Sequence, residues 1–214
     1  MSPTALTTPL LAALEHLWPH DHLCAIYESQ EEQFSIAMPF IRIGLERGEQ
    51  CLYIAAHDRL GAVREAMRRE GIDVDRATHS HALALLTPEQ VYVTPGSFHP
   101  ESLWTFWQEA IERAMRDGFT ALRATGEYAW VLRGDPDIER WIEYESRLTH
   151  RLAERNGIAL GQYHRRRCPP TLLREVIRTH PTVIYRGTLC RNLYYVPPEE
   201  WLGTNQTARE VVGC

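Results

Sequence analysis

Short apolar runs alternate with stretches of helical periodicity along nearly the whole chain, and this alternation limits the fold more than any other feature. His22 to Tyr27 reads as a strand, followed by a helix from Glu31 to Gly48 that places Phe34, Met38, Ile41 and Leu45 on one face, with Pro39 as a kink. Gln50 to Ala55 is a second strand. Leu60, Val63 and Met67 mark a helix ending near Gly71, and Ala82 to Leu86 is a short third strand. The pattern then repeats. His99-Pro100-Glu101 opens a helix, Thr120 to Thr125 is a strand, and Asp135-Pro136 caps a helix running to about Asn156. Ile158 to Tyr163 and Thr182 to Tyr185 complete the strands, with a helix over Thr171 to Arg178 between them. Strands joined through helices form parallel sheets, so an α/β fold with a mainly parallel sheet is expected.

At 214 residues and 44% hydrophobic, the chain can bury one sizeable core. The formal charge of -5 speaks against broad attraction to nucleic acid or to an anionic membrane. Arg165-Arg166-Arg167 is the one dense basic run, and polyanion binding takes a wider patch. Five cysteines (Cys24, Cys51, Cys168, Cys190 and Cys214) are scattered without a CxxC pair, which fits a reducing compartment and gives no zinc-ribbon or dithiol motif. The first residues lack a basic segment before their apolar stretch, and no window has membrane-spanning length. A cytoplasmic location is therefore expected.

The strand HLCAIY, the loop YESQEEQF, the helix ending in GLERGE and the strand CLYIA resemble the opening of KaiC-type RecA-fold ATPases. In those proteins a glycine-rich loop joins the first strand to its helix and wraps phosphates with backbone amides, aided by a lysine. Here no glycine or lysine lies between Tyr27 and Phe34, whereas Glu28, Glu31 and Glu32 would repel a triphosphate. The implied architecture is a RecA/KaiC-like three-layer fold with a degenerate phosphate-binding loop, and neither ATP nor GTP is expected to bind.

A fuller set of segments is similar to one divergent branch of that group, the MEDS family (methanogen/methylotroph, DcmR sensory domain). The segments are HLCAIYES, PFIRIGLERGEQCLYIA, FHPESL, ALRATGEYAW, IEYESRL and HPTVIYRGTLCRNLYYVPP. The resemblance implies a sensory domain over residues 20–202, with an N-terminal helical extension (1–19) and a C-terminal tail (203–214). It further implies a small organic ligand, such as a hydrocarbon derivative, and signalling through a histidine kinase, an anti-sigma-type kinase or a transcription-regulator partner. Self-association into a homo-oligomer is compatible with it. No cofactor is implied.

Ligands in open parallel sheets bind beyond the carboxyl ends of the strands. Those ends carry Tyr27 and Glu28, His57 and Asp58, Glu127 and Trp130, and Tyr163, His164 and Arg165. Tyr27, Glu127, Trp130, Tyr144, Glu145 and Tyr163 are expected around one cavity, with Arg123 or Arg165 near the carboxylates. Trp130 and Tyr144 read more readily as core or rim aromatics than as ligand walls, and Glu145 reads equally as a structural partner of Arg123 or Arg165. His22 and Cys24 project from one face of their strand and are the metal candidates, but no three-ligand spacing is visible. A buried histidine and a buried thiol with no metal are the expectation there.

Three classes of function follow. A non-catalytic small-ligand sensor is favoured by the family resemblance and the altered phosphate loop. An enzyme using Glu127 and Glu145 as acid and base is the second. A scaffold that uses the fold only to bind proteins is the third.

Overall fold

The computed structural model describes residues 7–91, 93–94, 97–128 and 138–201. Helix α1 (Thr7–Leu14) leads into β1 (His22–Tyr27), α2 (Gln30–Glu46), β2 (Gln50–Ile54), α3 (Leu60–Arg69), α4 (Val74–His79) and β3 (Leu83–Leu86). There follow α5 (Pro88–Val91), the two-residue strands β4 (Val93–Thr94) and β5 (Ser97–Phe98), α6 (Pro100–Arg116) and β6 (Leu122–Glu127). The chain continues as α7 (Ile138–Ala153), β7 (Gly157–His164), α8 (Pro170–Thr179), β8 (Thr182–Tyr185) and β9 (Thr188–Arg191).

Seven of these strands form one sheet in the order β3-β2-β6-β7-β1-β8-β9. Every pairing is parallel except β8 with β9. The mainly parallel α/β plan read from the alternation is therefore the one the chain adopts. Strand β9 has no counterpart in that reading. It returns through a tight turn in which Arg186 and Gly187 both take positive φ (50° and 69°), the geometry that matches hairpin twist. Gly187 was the available signal, although an Arg-Gly pair is less telling than Asn-Gly.

Central parallel strands are covered on both faces, and their burial shows it: β1, β2 and β6 are buried at every position. One face of the sheet meets α1, α2 and α3 through Leu14, Leu23, Phe40, Ile41, Met67 and Leu160. The other meets α6, α7 and α8 through Trp107, Ile111, Leu122, Trp141, Leu148 and Val176. Fully burying each such side chain stabilises the fold by about 1.5–3 kcal/mol. Helix α1, read as an extension, contributes Leu10 and Leu14 to the first of these cores.

The two faces follow from period-2 alternation. On β1, His22 and Cys24 face α7 while Leu23 and Ala25 face α2. On β6, Leu122 and Ala124 face α6 and α7, whereas Arg123 lies under α2 over the ring of Phe40. Arg123 is fully buried there and binds Glu49 through two hydrogen bonds, one of them Nη2 to Oε1 at 3.1 Å. Gly44 makes room for it. A methyl group at that position would lie 2.6 Å from the arginine Cδ and 2.7 Å from Cys51 Sγ.

Candidate functional site

Side chains beyond and between the strands form two polar clusters on opposite faces of the sheet. The first is on the α2 side at the carboxyl edge. Arg59, in the short turn before α3, donates from Nε to Glu127 Oε2 (3.3 Å) and from Nη2 to Gln33 Oε1 (2.8 Å). Gln33 donates to Gln162 Oε1 (2.7 Å), which also accepts from the Tyr53 hydroxyl (3.3 Å). Gln162 donates to Thr125 Oγ1 (2.7 Å), and Thr125 donates to the Leu160 carbonyl (2.8 Å). The relay thus ends on backbone, with each buried donor meeting an acceptor. Tyr27 lies at this edge with its ring edge-on to His164, and burial, followed by the nearby Glu127 charge, pushes its hydroxyl pKa up.

The second cluster is on the α7 and α8 side. His22 Nε2 lies 3.1 Å and His180 Nε2 3.3 Å from the same oxygen, Glu145 Oε2, and all three residues are buried. Each Nδ1 is held from outside: His22 at 2.9 Å from Thr149 Oγ1, and His180 at 2.7 Å from the Val176 carbonyl. Burial, and then the neighbouring His180, lowers the His22 pKa to about 4, so that ring is neutral. Burial works against ionisation of Glu145, but the two imidazoles outweigh it and bring its pKa down to about 2. Cys24, on the same strand face as His22, is a buried thiol pushed up by burial and then by the Glu145 charge.

Aromatic rings fill the space beside this cluster. Tyr128 stacks on Tyr163 at 4.8 Å and 13°, and Trp141 lies 4.4 Å from Tyr128 and 5.4 Å from Tyr144 between ring centres. Next to them, small residues on β6 and β7 (Ala124, Gly126, Gly157, Ala159 and Gly161) leave a narrow cleft under Trp107, Tyr128, Tyr144 and Leu148, with His22 in its wall. Its free volume is about 30 Å³, room for roughly two waters at 10–15 Å³ each. Tyr144 also borders a surface pocket of about 240 Å³ between α6 and α7.

The single cavity expected from the sequence is thus divided by the sheet. Tyr27 and Glu127 sit on the α2 side of the carboxyl edge, while Tyr144, Glu145 and Tyr163 belong to the α7 side. Trp130, the remaining member, lies outside the described residues, as do Asp135, Pro136 and Cys214. Helix direction explains the division in part. A crossover helix runs back against its strands at 1.5 Å per residue, so Glu145, two turns into α7, sits about 10 Å back from the edge. Neither arginine reaches these two carboxylates as expected. Arg123 pairs with Glu49 near the opposite end of the sheet, and Arg165 binds Glu28 and accompanies the Tyr185 hydroxyl at 3.1 Å.

Several members had no place in the sequence reading. Arg59 is the cation at Glu127, and His180 completes the second cluster. Gln33, Tyr53, Thr125 and Gln162 build the relay. Thr125 and Gln162 carried a usable signal, being polar residues inside otherwise apolar strands; His180 stood before Pro181 at a strand start and looked like a loop residue.

The strand order and the helices on both faces define an α/β fold of the KaiC-like class. A KaiC-like protein of the hyperthermophilic archaeon Pyrococcus horikoshii OT3 superposes with a TM-score of 0.56 at 14% identity, over 78% of this chain and 72% of that one. An uncharacterized Pyrococcus horikoshii protein, solved in complex with an unknown peptide, gives 0.55 at 14% identity, over 79% and 78%. At such identity the likeness concerns the fold. Residues 21–181 match the model of the MEDS (methanogen/methylotroph, DcmR sensory domain) family, and the chain belongs to that family. It is also 24% identical over 162 residues to the transcriptional repressor DcmR of Methylorubrum extorquens strain DM4, an alignment covering 75% of this chain and 58% of the repressor. The chain therefore spans less than two thirds of that relative. Among the described residues, no helix is long and apolar enough to cross a membrane.

Proposed function

We propose that this chain is a non-catalytic sensory domain that takes a small, largely apolar organic molecule into the cleft between β6, β7, α6 and α7. The observation that carries the reading is the cleft itself: small residues at successive inward positions of two central strands, aromatic walls, and a single imidazole, His22. Small-molecule sites have this composition, an apolar lining with few polar groups that fix orientation. Its volume suits a molecule of a few heavy atoms, in keeping with a hydrocarbon derivative. Membership of a sensory family and similarity to a repressor support a regulatory output, delivered through a kinase, anti-sigma or transcription-regulator partner.

Nucleotide handling has little support. The link from β1 to α2 is two residues, Glu28 and Ser29. Ser29 Oγ accepts from the Glu32 amide at 3.1 Å and Glu32 accepts from the Glu28 amide at 2.8 Å, a reciprocal cap that uses donors a phosphate would need. Glu28 in turn binds Arg165 and Arg166. Acid–base catalysis by Glu127 with Glu145 has no support in their placement on opposite faces of the sheet.

Tryptophan fluorescence tests the cleft directly, because Trp107 lines it and Trp141 packs at a tilt against Tyr128 in its wall. Titration with a panel of short alcohols, haloalkanes and amines is expected to give saturable changes with at least one class. Ala159→Leu, which fills the cleft, is expected to remove that response while circular dichroism stays unchanged. A response that persists in Ala159→Leu would place the ligand elsewhere, and saturable binding of magnesium-ATP would remove the non-nucleotide reading.

A further inference from the structure

The His22, Glu145 and His180 cluster has donors that do not match its acceptors. The Val176 carbonyl can only accept, so His180 Nδ1 carries a hydrogen, and in the tautomer with that hydrogen alone Nε2 turns its lone pair toward Glu145. Two acceptors then face each other at 3.3 Å, too close to admit a bridging molecule. Moreover, Glu145 Oε1 is buried and meets no hydrogen-bond donor among the described residues. An unmatched buried polar atom is costly, and a cluster containing two of them calls for a cation.

A proton on His180 would resolve one contact and leave Oε1 bare. A metal ion chelated by both carboxylate oxygens resolves both. Donors 2.0–2.1 Å from a tetrahedral ion stand about 3.3 Å from one another, close to the 3.1 and 3.3 Å separations here, and the three ligating atoms all lie within 4.8 Å of each other. The outer contacts fit as well. Ligating histidines characteristically donate their second nitrogen to a carbonyl or hydroxyl, which fixes the ring, and Val176 and Thr149 occupy those places.

We propose that His22 Nε2, His180 Nε2 and the Glu145 carboxylate bind a divalent first-row transition ion of the zinc or iron(II) type. Imidazole and carboxylate donors suit those ions. Three protein ligands leave a coordination position for a further donor, and because His22 also lines the cleft, that position adjoins the cleft. This departs from the expectation of no metal. Residues 22, 145 and 180 are too far apart in the chain to show as a motif, and only the fold brings them together. The inference stands on the donor geometry and does not depend on which organic molecule, if any, enters the cleft.

The test uses the full chain stripped with a chelator and titrated with cobalt(II), whose visible absorption reports coordination, and separately with zinc. One ion per chain, a visible cobalt band and a higher Tm with zinc are expected. His22→Gln and His180→Gln, each checked for folding by circular dichroism, are expected to lose the band, and His79→Gln, on the exposed end of α4, to keep it. X-ray absorption at the zinc edge of the wild-type protein needs no variant, and two imidazole nitrogens with oxygen completing the shell are expected. A wild-type chain that takes up no stoichiometric ion overturns the proposal, as does a band that survives both glutamine variants or a shell of sulfur donors. As-purified metal content, measured in parallel, is expected to identify zinc or iron.

Discussion

The two faces of the central sheet give their buried carboxylates different partners, arginines on one and imidazoles on the other. On the α2 face, Arg123 meets Glu49 through two nitrogens and leaves only Nη1 without a hydrogen-bond partner among the described residues, Arg59 meets Glu127, and the relay from Gln33 through Gln162 to Thr125 ends on a carbonyl. On the α7 face, Glu145 receives two imidazoles on one oxygen and nothing on the other. The Arg123 and Glu49 pair is as deeply shielded from water as the Glu145 cluster, whereas Arg59 keeps part of its surface in solvent. A satisfied network fixes a structure, whereas an unsatisfied one has chemistry still to do. The comparison separates scaffold from site better than the position of a residue relative to the carboxyl edge.

The largest expected effect lies on the satisfied face. Glu49→Ala leaves the Arg123 guanidinium buried without a counter-charge, and a loss of about 3–5 kcal/mol is expected, which thermal unfolding reads as a fall of roughly 6–20 °C in Tm. A change under 1 kcal/mol would show that the cluster relaxes and that the α2 face is less rigid than its hydrogen bonds suggest. Glu127→Gln comes next. Because Arg59 is partly exposed and can turn to water, the expected cost is about 1–2 kcal/mol, and a double-mutant cycle with Arg59→Met measures how much of it is the pair. A Glu127→Gln chain with unchanged Tm and altered ligand titration would instead make Glu127 a recognition residue.

The unsatisfied face predicts a smaller number for an equally buried carboxylate. In chelator-treated protein, Glu145→Gln keeps a hydrogen-bonding group of the same size beside His22 and His180 and strands no arginine, so a change of about 1 kcal/mol or less is expected in denaturant unfolding. A loss as large as that of Glu49→Ala would make the cluster a second structural ion network and erase the distinction. The smallest perturbation is thiol labelling of the native chain, resolved by mass spectrometry. Among the described thiols, Cys190 is exposed and should react first; Cys168, whose pKa burial pushes up to about 11, should lag. Cys24, buried beside the Glu145 cluster, and Cys51, buried beside the Arg123 and Glu49 pair, have thiols pushed further up and should stay unlabelled until unfolding. Rapid labelling of Cys24 alone would show that the α7 face opens.

The alternation of apolar runs and helical stretches was enough to determine the α/β class, the mainly parallel sheet and the six strands (β1, β2, β3, β6, β7 and β8) that carry the core, because period 2 and period 3.6 are properties of neighbours in the chain. The motif order also carried the family. Tyr27, Glu127 and Glu145 were legible as unusual, since a polar side chain at or within an apolar pattern stands out locally. What the tertiary structure alone decided is which of them share a space. A strand residue's face is set by parity, and a crossover helix carries its residues back from the edge, so Glu127 and Glu145 were parted although both seemed to belong to one rim. The same folding brought His180, from the loop before β8, onto the oxygen that His22 already holds. Charge pairing of Arg123 with Glu49 and of Glu127 with Arg59 was settled the same way, because an ion pair depends on distance through space, and the spacing of residues along a sequence does not contain it.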